Sequence, residues 1–482
     1  MLDDICTLSA TELIGLYRSG QVSPVEVTGA VLERIERLDG AGNGNGRVAP
    51  DGTHNERINA FRLVDHDGAL AQARESEARW SRGEPKGQVD GVPTTIKDLI
   101  VARGWPTLRG SRTIDPDQVW PEDGPPVARM REHGAVLLGK TNTPEFGWKG
   151  VTDSPLSGVT VNPWNSALTP GGSSGGAAAA AALGMGPLHI ATDGGGSIRI
   201  PAAFCGLFGH KPTFGIVPVH PHSPAGTLWH QGPIVRTVAD AALMLNVISE
   251  PDRRDWLAVP HDMVDYRENL EQGIAGLRIA YSPDLGYVKV DPDVAELVDD
   301  AVKLFADMGA EVEQVDPGFS DPLDVMVTLW SVALALAVDP LTEEQRALVD
   351  PPVLEIAARG AAHTAVEYRQ AERAREMLGR QMKQFHERYD LLMTPQMPLT
   401  AFAAGHEVPP HSGMTRWWEW SPFTYPFNLT QQPAASLPCG FTENGLPVAV
   451  QVIGAKFADA TVLRACRAYE AENPFVMPPS PV

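Results

Sequence analysis

Cysteine is scarce in this 482-residue chain, four in all (Cys6, Cys205, Cys439 and Cys466), and no two of them form a CxxC pair. A disulfide framework and a thiolate zinc cluster are both disfavoured, and a reducing compartment is expected. Positive charge is also in deficit: 39 Lys and Arg against 60 Asp and Glu give a formal net charge of −21. That balance argues against the basic footprint of a nucleic-acid binder or of a protein held on an anionic membrane. No uninterrupted apolar run approaches the length of a membrane span, and the opening "MLDDICTLSATEL" lacks the basic and apolar regions of a secretory signal. Neither HExxH nor a set of His and Asp at metal-ligand spacing is present, so no metal and no cofactor is expected. The chain reads as a soluble cytoplasmic protein, monomer or homodimer, whose partner is a small molecule rather than nucleic acid or membrane.

No repeat, composition break or long linker divides the sequence, which makes one domain over residues 1–482 the simpler reading. What it does contain is α/β alternation. Ser9 before "ATELIGLYRSG" and Ser23 before "PVEVTGAVLERIERL" predict two capped amphipathic helices. "VARMREHGAVLLGKTN" (127 to 142) reads as helix, turn and buried strand, and "GPLHIATD" (186 to 193) as another buried strand. Residues 39–57, rich in Gly, Asn and Asp, predict an exposed loop insertion. Residues 320–430 read as mostly helical and end in the aromatic-rich "TRWWEWSPFTYPFN".

Two glycine-rich stretches stand apart. "TPGGSSGGAAAAAAL" (169 to 183) sets Ser173 and Ser174 among glycines before an alanine-rich helix, and "TDGGGSIRIPAAFCG" (192 to 206) sets three glycines before Ser197. Glycine loses the most backbone freedom on folding, so such runs point to places where the backbone itself is needed. Two familiar strings are decoys. "GAVLLGKT" (134 to 141) matches GxxxxGK[ST], but the Ala, Val, Leu and Leu inside it make a strand rather than a phosphate-cradling loop. GxSxG is met at both Ser173 and Ser174, yet "VNPWNSALTP" ahead of it is not the strand that a nucleophile elbow requires. An esterase of the α/β-hydrolase type using Ser173 or Ser174 stays open as an alternative, although none of His363, His386, His406 and His411 is singled out as its base.

A serine is a poor nucleophile until a base removes its proton, and a desolvated lysine can be that base because burial lowers its pKa. Lys97, the one Lys or Arg of the apolar "VDGVPTTIKDLIVA" (89 to 102), fits the role, although a strand-end lysine snorkelling to solvent is the plainer reading of that residue alone. Backbone N–H groups at Gly194, Gly195, Gly196 and Ser197, little shielded by side chains, are what an oxyanion hole requires.

The combination resembles the amidase signature enzymes. The likeness runs through "VDGVPTTIKDL", "GAVLLGKTNTPEFG", "NPWNSALTPGGSSGGAAAA", "ATDGGGSIRIPAAFCGLFGHKPTFG" and "FNLTQQPAASLPCGF". It covers most of residues 9 to 245 and 425 to 470. It implies a single large α/β domain, a mixed central sheet with helices on both faces, and hydrolysis of linear carboxamide C–N bonds, with esters and aryl carbamates open to the same chemistry. It further implies Lys97, Ser173 in a cis peptide and the nucleophile Ser197 acting in series. Asp193 and Arg199 would brace the nucleophile loop, with Ser174 in the same hydrogen-bonded network. The A subunit of the tRNA-dependent amidotransferase belongs to the same family and is a competing function, one that acts only inside a complex. Two departures stand out. Gly194 replaces a frequent Thr or Ile and is expected to loosen or widen the oxyanion loop. Gln431-Gln432-Pro433-Ala434 replaces a frequent GQPA and is expected to alter the pocket wall. Phe146, Trp330 and Trp418 are expected to line an apolar pocket, although large aromatics serve equally well as core.

Overall fold

The computed structural model describes residues 2–39, 57–260 and 264–479. The loop insertion expected at 39–57 lies outside them except for its two end residues. Asp39 is not loop: it closes the Pro24–Asp39 helix, and its buried carboxylate accepts the amides of Ala60 and Phe61.

The strands among the described residues are β1 (Phe61–Val64), β2 (Pro93–Lys97), β3 (Val136–Thr141), β4 (Asp153–Ser154), β5 (Gly158–Val159), β6 (Leu188–Asp193), β7 (Phe208–Lys211), β8 (His230–Val235), β9 (Arg278–Tyr281), β10 (Glu311–Gln314), β11 (Leu391–Pro395), β12 (Ala434–Phe441) and β13 (Pro447–Gly454). Eleven form one sheet in the order β1-β3-β2-β6-β8-β7-β12-β13-β11-β9-β10, and β4 pairs with β5. The sheet is mixed. β2 runs parallel to both β3 and β6, and β9 runs parallel to both β10 and β11. Its other ladders, such as β6 with β8 and β12 with β13, are antiparallel.

β2, β3 and β6 are buried at every position, as strands covered on both faces must be. Because they are parallel, their C-terminal ends lie side by side, and in α/β sheets that rim is where ligands are bound. Lys97 closes β2 and Asp193 closes β6 there. "GAVLLGKT" holds no open loop between its glycines: Val136–Thr141 is a strand, and the ammonium of Lys140 is buried against the Ile100 carbonyl and the Thr107 hydroxyl.

The helices follow their caps. Ser9 and Glu12 form a reciprocal capping box before Ala10–Ser19, and Ser23 with Glu26 repeats it before Pro24–Asp39. Every residue of the Gly175–Ala182 helix is buried, and small side chains let it pack closely against β2, β3 and β6. Helices Leu323–Val338, Pro351–Ala362 and Ala365–Phe385 build a second apolar cluster, which takes in Trp148, Trp330, Trp417 and Trp420. After Phe385 and up to residue 430 the helices are short, a 3-10 turn at Trp417–Trp420 and the helix Pro426–Leu429. β11 precedes both and enters the central sheet between β13 and β9.

Candidate active site

Lys97 is completely buried, and its Nζ lies 2.7 Å from Ser173 Oγ, 2.8 Å from Ser174 Oγ and 2.9 Å from Thr192 Oγ1. Three hydroxyls thus surround the amine, and none of these contacts is a carboxylate. Burial pushes its pKa well below the ordinary lysine value, with the Asp193 carboxylate pulling the other way. This is no snorkelling lysine. The Gly172–Ser173 peptide is cis, as the resemblance implies. Ser174 donates its hydroxyl to the Thr192 carbonyl at 3.2 Å, and its amide to the Ser197 carbonyl, also at 3.2 Å. That amide bond ties the two glycine-rich stretches together. Ser197 is 8% exposed against 1% for Ser173, so of the two it is the one a substrate can reach more readily.

Behind Ser197 stands a buried polar network. Arg199 donates from Nε to Asp193 at 2.9 Å, and its other nitrogens reach Asn428 Oδ1, Gln451 Oε1 and the Thr424 carbonyl. Asn428 donates in turn to the Asp193 carboxylate at 2.8 Å. Burial raises the Asp193 pKa, but Arg199, Lys211 and Asn428 outweigh it and hold the carboxyl below the usual carboxylate range. The loop backbone is bound to the same carboxylate, through Gly196 N–H at 2.7 Å and Ile198 N–H at 3.2 Å. Gly196 therefore spends its amide inside the loop, whereas the amides of Gly194, Gly195 and Ser197 make no hydrogen bond among the described residues. Thr424 Oγ1 donates to the Gly195 carbonyl at 2.6 Å and fixes that peptide. Thr192, Thr424, Asn428 and Gln451 escape sequence reasoning. Asn428 and Thr424 sit in a segment whose aromatics draw attention first, and Gln451 lies mid-strand in β13.

The side-chain space at Gly194 is not left empty. A Cβ built there would lie 2.9 Å from Trp330 Cζ3, so the indole occupies the space a side chain would need. A Cβ at Gly195 would meet Met326 and Trp417, each at 2.8 Å. Trp330 and Phe146 both line a cavity of about 250 Å³ beside the loop. Trp418 is not among its lining residues. It packs on Trp417, with ring centroids 5.7 Å apart, so Trp417 is the indole against the loop and Trp418 stands behind it. Gln431 and Gln432 do not line this cavity either: they border a separate groove with Arg375 and Lys456, and Gln432 Nε2 donates to the Gly454 carbonyl.

Among the described residues no helix is long and apolar enough to cross a membrane, and no group of three or more His, Cys, Asp or Glu side chains is placed to hold a metal ion. The family described as Amidase matches residues 52–463. An acylamidase of Rhodococcus erythropolis is 36% identical over 475 residues, covering 97% of this chain and 96% of the relative. The A subunit of the glutamyl-tRNA(Gln) amidotransferase of Myxococcus xanthus is 33% identical, covering 98% of this chain and 99% of the relative. Among solved structures, a bacterial aryl acylamidase of the amidase signature family superposes with a TM-score of 0.87 at 31% identity, covering 97% of this chain and 96% of that one. A buried lysine among serine hydroxyls, a mixed sheet that carries it and a match over most of the length all agree: the chain belongs to the amidase signature family, whose members hydrolyse carbon–nitrogen bonds.

Proposed function

We propose that the chain acts alone as an amidase on linear carboxamides, through an acyl-enzyme on Ser197, with esters and aryl carbamates open to the same route. The observation that carries this reading is Lys97, buried without a carboxylate contact and held 2.7 Å from Ser173 Oγ. A neutral amine there can accept a proton. Ser173 gives its hydroxyl proton to Lys97 Nζ and takes one from Ser197 Oγ, which attacks the substrate carbonyl. The negative charge that develops on the carbonyl oxygen is met by the free amides of Gly194, Gly195 and Ser197. As the tetrahedral intermediate collapses, the C–N bond breaks, and the proton on Lys97 returns through Ser173 to the departing amine. Water then attacks the acyl-enzyme by the same relay, which frees the acid and restores the Ser197 hydroxyl.

The likeness to the A subunit of the tRNA-dependent amidotransferase favours a second reading, in which hydrolysis serves a complex. The purified chain separates the two. On the stand-alone reading it hydrolyses simple anilides without a partner, a fluorophosphonate labels Ser197, and Ser197→Ala leaves only background turnover. Labelling at Ser173 or Ser174, or turnover unchanged in Ser197→Ala, would mean that the nucleophile is misassigned.

A further inference from the structure

The cavity beside the nucleophile loop is mostly apolar, with Leu99, Phe146, Trp229 and Trp330 in its wall, yet it also contains Arg109 and Gln231. Lys97, Ser173 and Ser197 do not line it, but two of its wall residues lie next to the site. Trp330 lies against Gly194, and Phe146 adjoins Gly147, where a Cβ would lie 3.3 Å from Ser173 Oγ.

Arg109 is held in place by its backbone. It adopts φ 54°, a left-handed conformation uncommon for arginine; its amide donates to the Asp98 carbonyl at 3.0 Å, and its carbonyl accepts from Phe146 at 2.7 Å. Its side chain has no such anchor. Among the described residues the guanidinium makes no hydrogen bond and no ion pair. Asp98 attracts it through space but is itself paired with Arg62 at 2.9 Å. Burial makes the cation costlier, yet a guanidinium stays protonated at any working pH. Five donors on a half-buried cation that meets no partner among the described residues call for an anion.

Gln231 offers a second unmet group in the same wall, an acceptor rather than a cation. It is only 4% exposed, makes no side-chain hydrogen bond among the described residues, and has an orphaned Oε1. It lies on β8 opposite Thr192, whose hydroxyl touches Lys97. The titratable groups at the cavity margin do not supply the missing anion, since His220 and His222 face Glu122 and Asp255.

We propose that Arg109 binds a carboxylate on the substrate while Gln231 Oε1 accepts from an N–H of the same molecule, so that the preferred amides carry an anionic group on a ring or short chain lying against Phe146, Trp229 and Trp330. The proposal rests on the Ser197 reading for the reaction and adds the class of substrate.

Two matched pairs test it on the full chain: glutaryl against butyryl 4-nitroanilide puts the charge on the acyl side, and N-acetyl-4-aminobenzoate against acetanilide puts it on the amine side. In at least one pair the carboxylate member should have the higher kcat/KM, by roughly 10- to 100-fold as expected for hydrogen bonds to a charged group, mainly through KM. Arg109→Gln should erase that advantage, lowering kcat/KM of the carboxylate member roughly 10- to 100-fold more than that of the neutral one; Arg109→Lys should keep part of it. A preference for the neutral member in both pairs, or an equal loss on both members in Arg109→Gln, overturns the proposal. Calorimetry reads the same contact without turnover. Benzoate should bind the wild type at least about 10-fold more tightly than benzyl alcohol, and equal or absent binding overturns the assignment. Turnover of the neutral members, lost in Ser197→Ala, tests the nucleophile separately.

Discussion

Lysine takes a proton from serine only while it is neutral, so the state of one amine governs the proposed relay. Lys97 has its pKa pushed well below the ordinary value by burial. The sign follows: below the folded pKa the amine is charged and idle, and kcat/KM rises with pH through that pKa to a plateau. Lys97→Arg keeps a cation but removes any accessible neutral form, so turnover should fall about 100- to 10,000-fold, nearly as far as in Lys97→Ala. Retention of most of the wild-type kcat with an unchanged pH profile would remove Lys97 from the base role. Lys97 and the serines draw attention in the sequence as a cation in an apolar strand and hydroxyls among glycines, but snorkelling is the plainer reading of Lys97 alone, and only the resemblance joins Lys97, Ser173 and Ser197 in series. Thr192 is not legible. A threonine in a buried strand looks like any β-branched residue until the fold sets its hydroxyl 2.9 Å from Lys97 Nζ.

The loop from β6 to the Arg199–Cys205 helix works as a unit, gripped by the Asp193–Arg199–Asn428 network from behind and by indoles in front. β2, β3 and β6 can be read from their apolar runs because a strand buried on both faces has almost no polar position to hide it. The grip on the loop cannot be read that way, since Trp330, Trp417, Thr424 and Asn428 come from distant segments and only folding sets them against Gly194 and Gly195. The lack of a side chain at 194 and the presence of Trp330 are therefore one packing decision. Gly194→Thr should cost roughly 1 to 3 kcal/mol through overpacking, read as a lower denaturation midpoint. Trp330→Ala in the same chain should recover much of that loss, because residues in contact couple by about 0.5 to 3 kcal/mol. Strictly additive effects of the two changes would mean that glycine and indole do not share the space.

Across the whole molecule, patterning disclosed α/β alternation and composition a net charge of −21, but neither showed which cations are buried. Three lysines, Lys97, Lys140 and Lys211, are fully buried along the central sheet, each closing or near the end of a strand. The strand order that brings them inside escapes the sequence, because neighbours such as β7 and β12 are far apart in the chain and periodicity carries no pairing information. All three have pKa values depressed by burial, Lys140 to about 7. An unfolded lysine near its ordinary value of about 10.4 holds its proton across the interval in which folded Lys140 has lost it. The unfolded state then binds more protons, so this residue's contribution to stability rises with pH from about 7 to about 10 and is level below and above that window. Self-repulsion of the acidic surface grows over the same range and masks the effect in the wild type alone. Lys140→Met leaves that surface unchanged, so the difference between the two proteins isolates the lysine. Measured by urea unfolding from pH 7 to pH 10, wild-type stability relative to Lys140→Met should climb by as much as roughly 1.4 kcal/mol per pH unit. The lost hydrogen bonds to Ile100 and Thr107 offset the two curves without tilting one against the other. A difference that stays constant over this range would show that Lys140 is charged in the fold, held by Asp98 more strongly than burial opposes it.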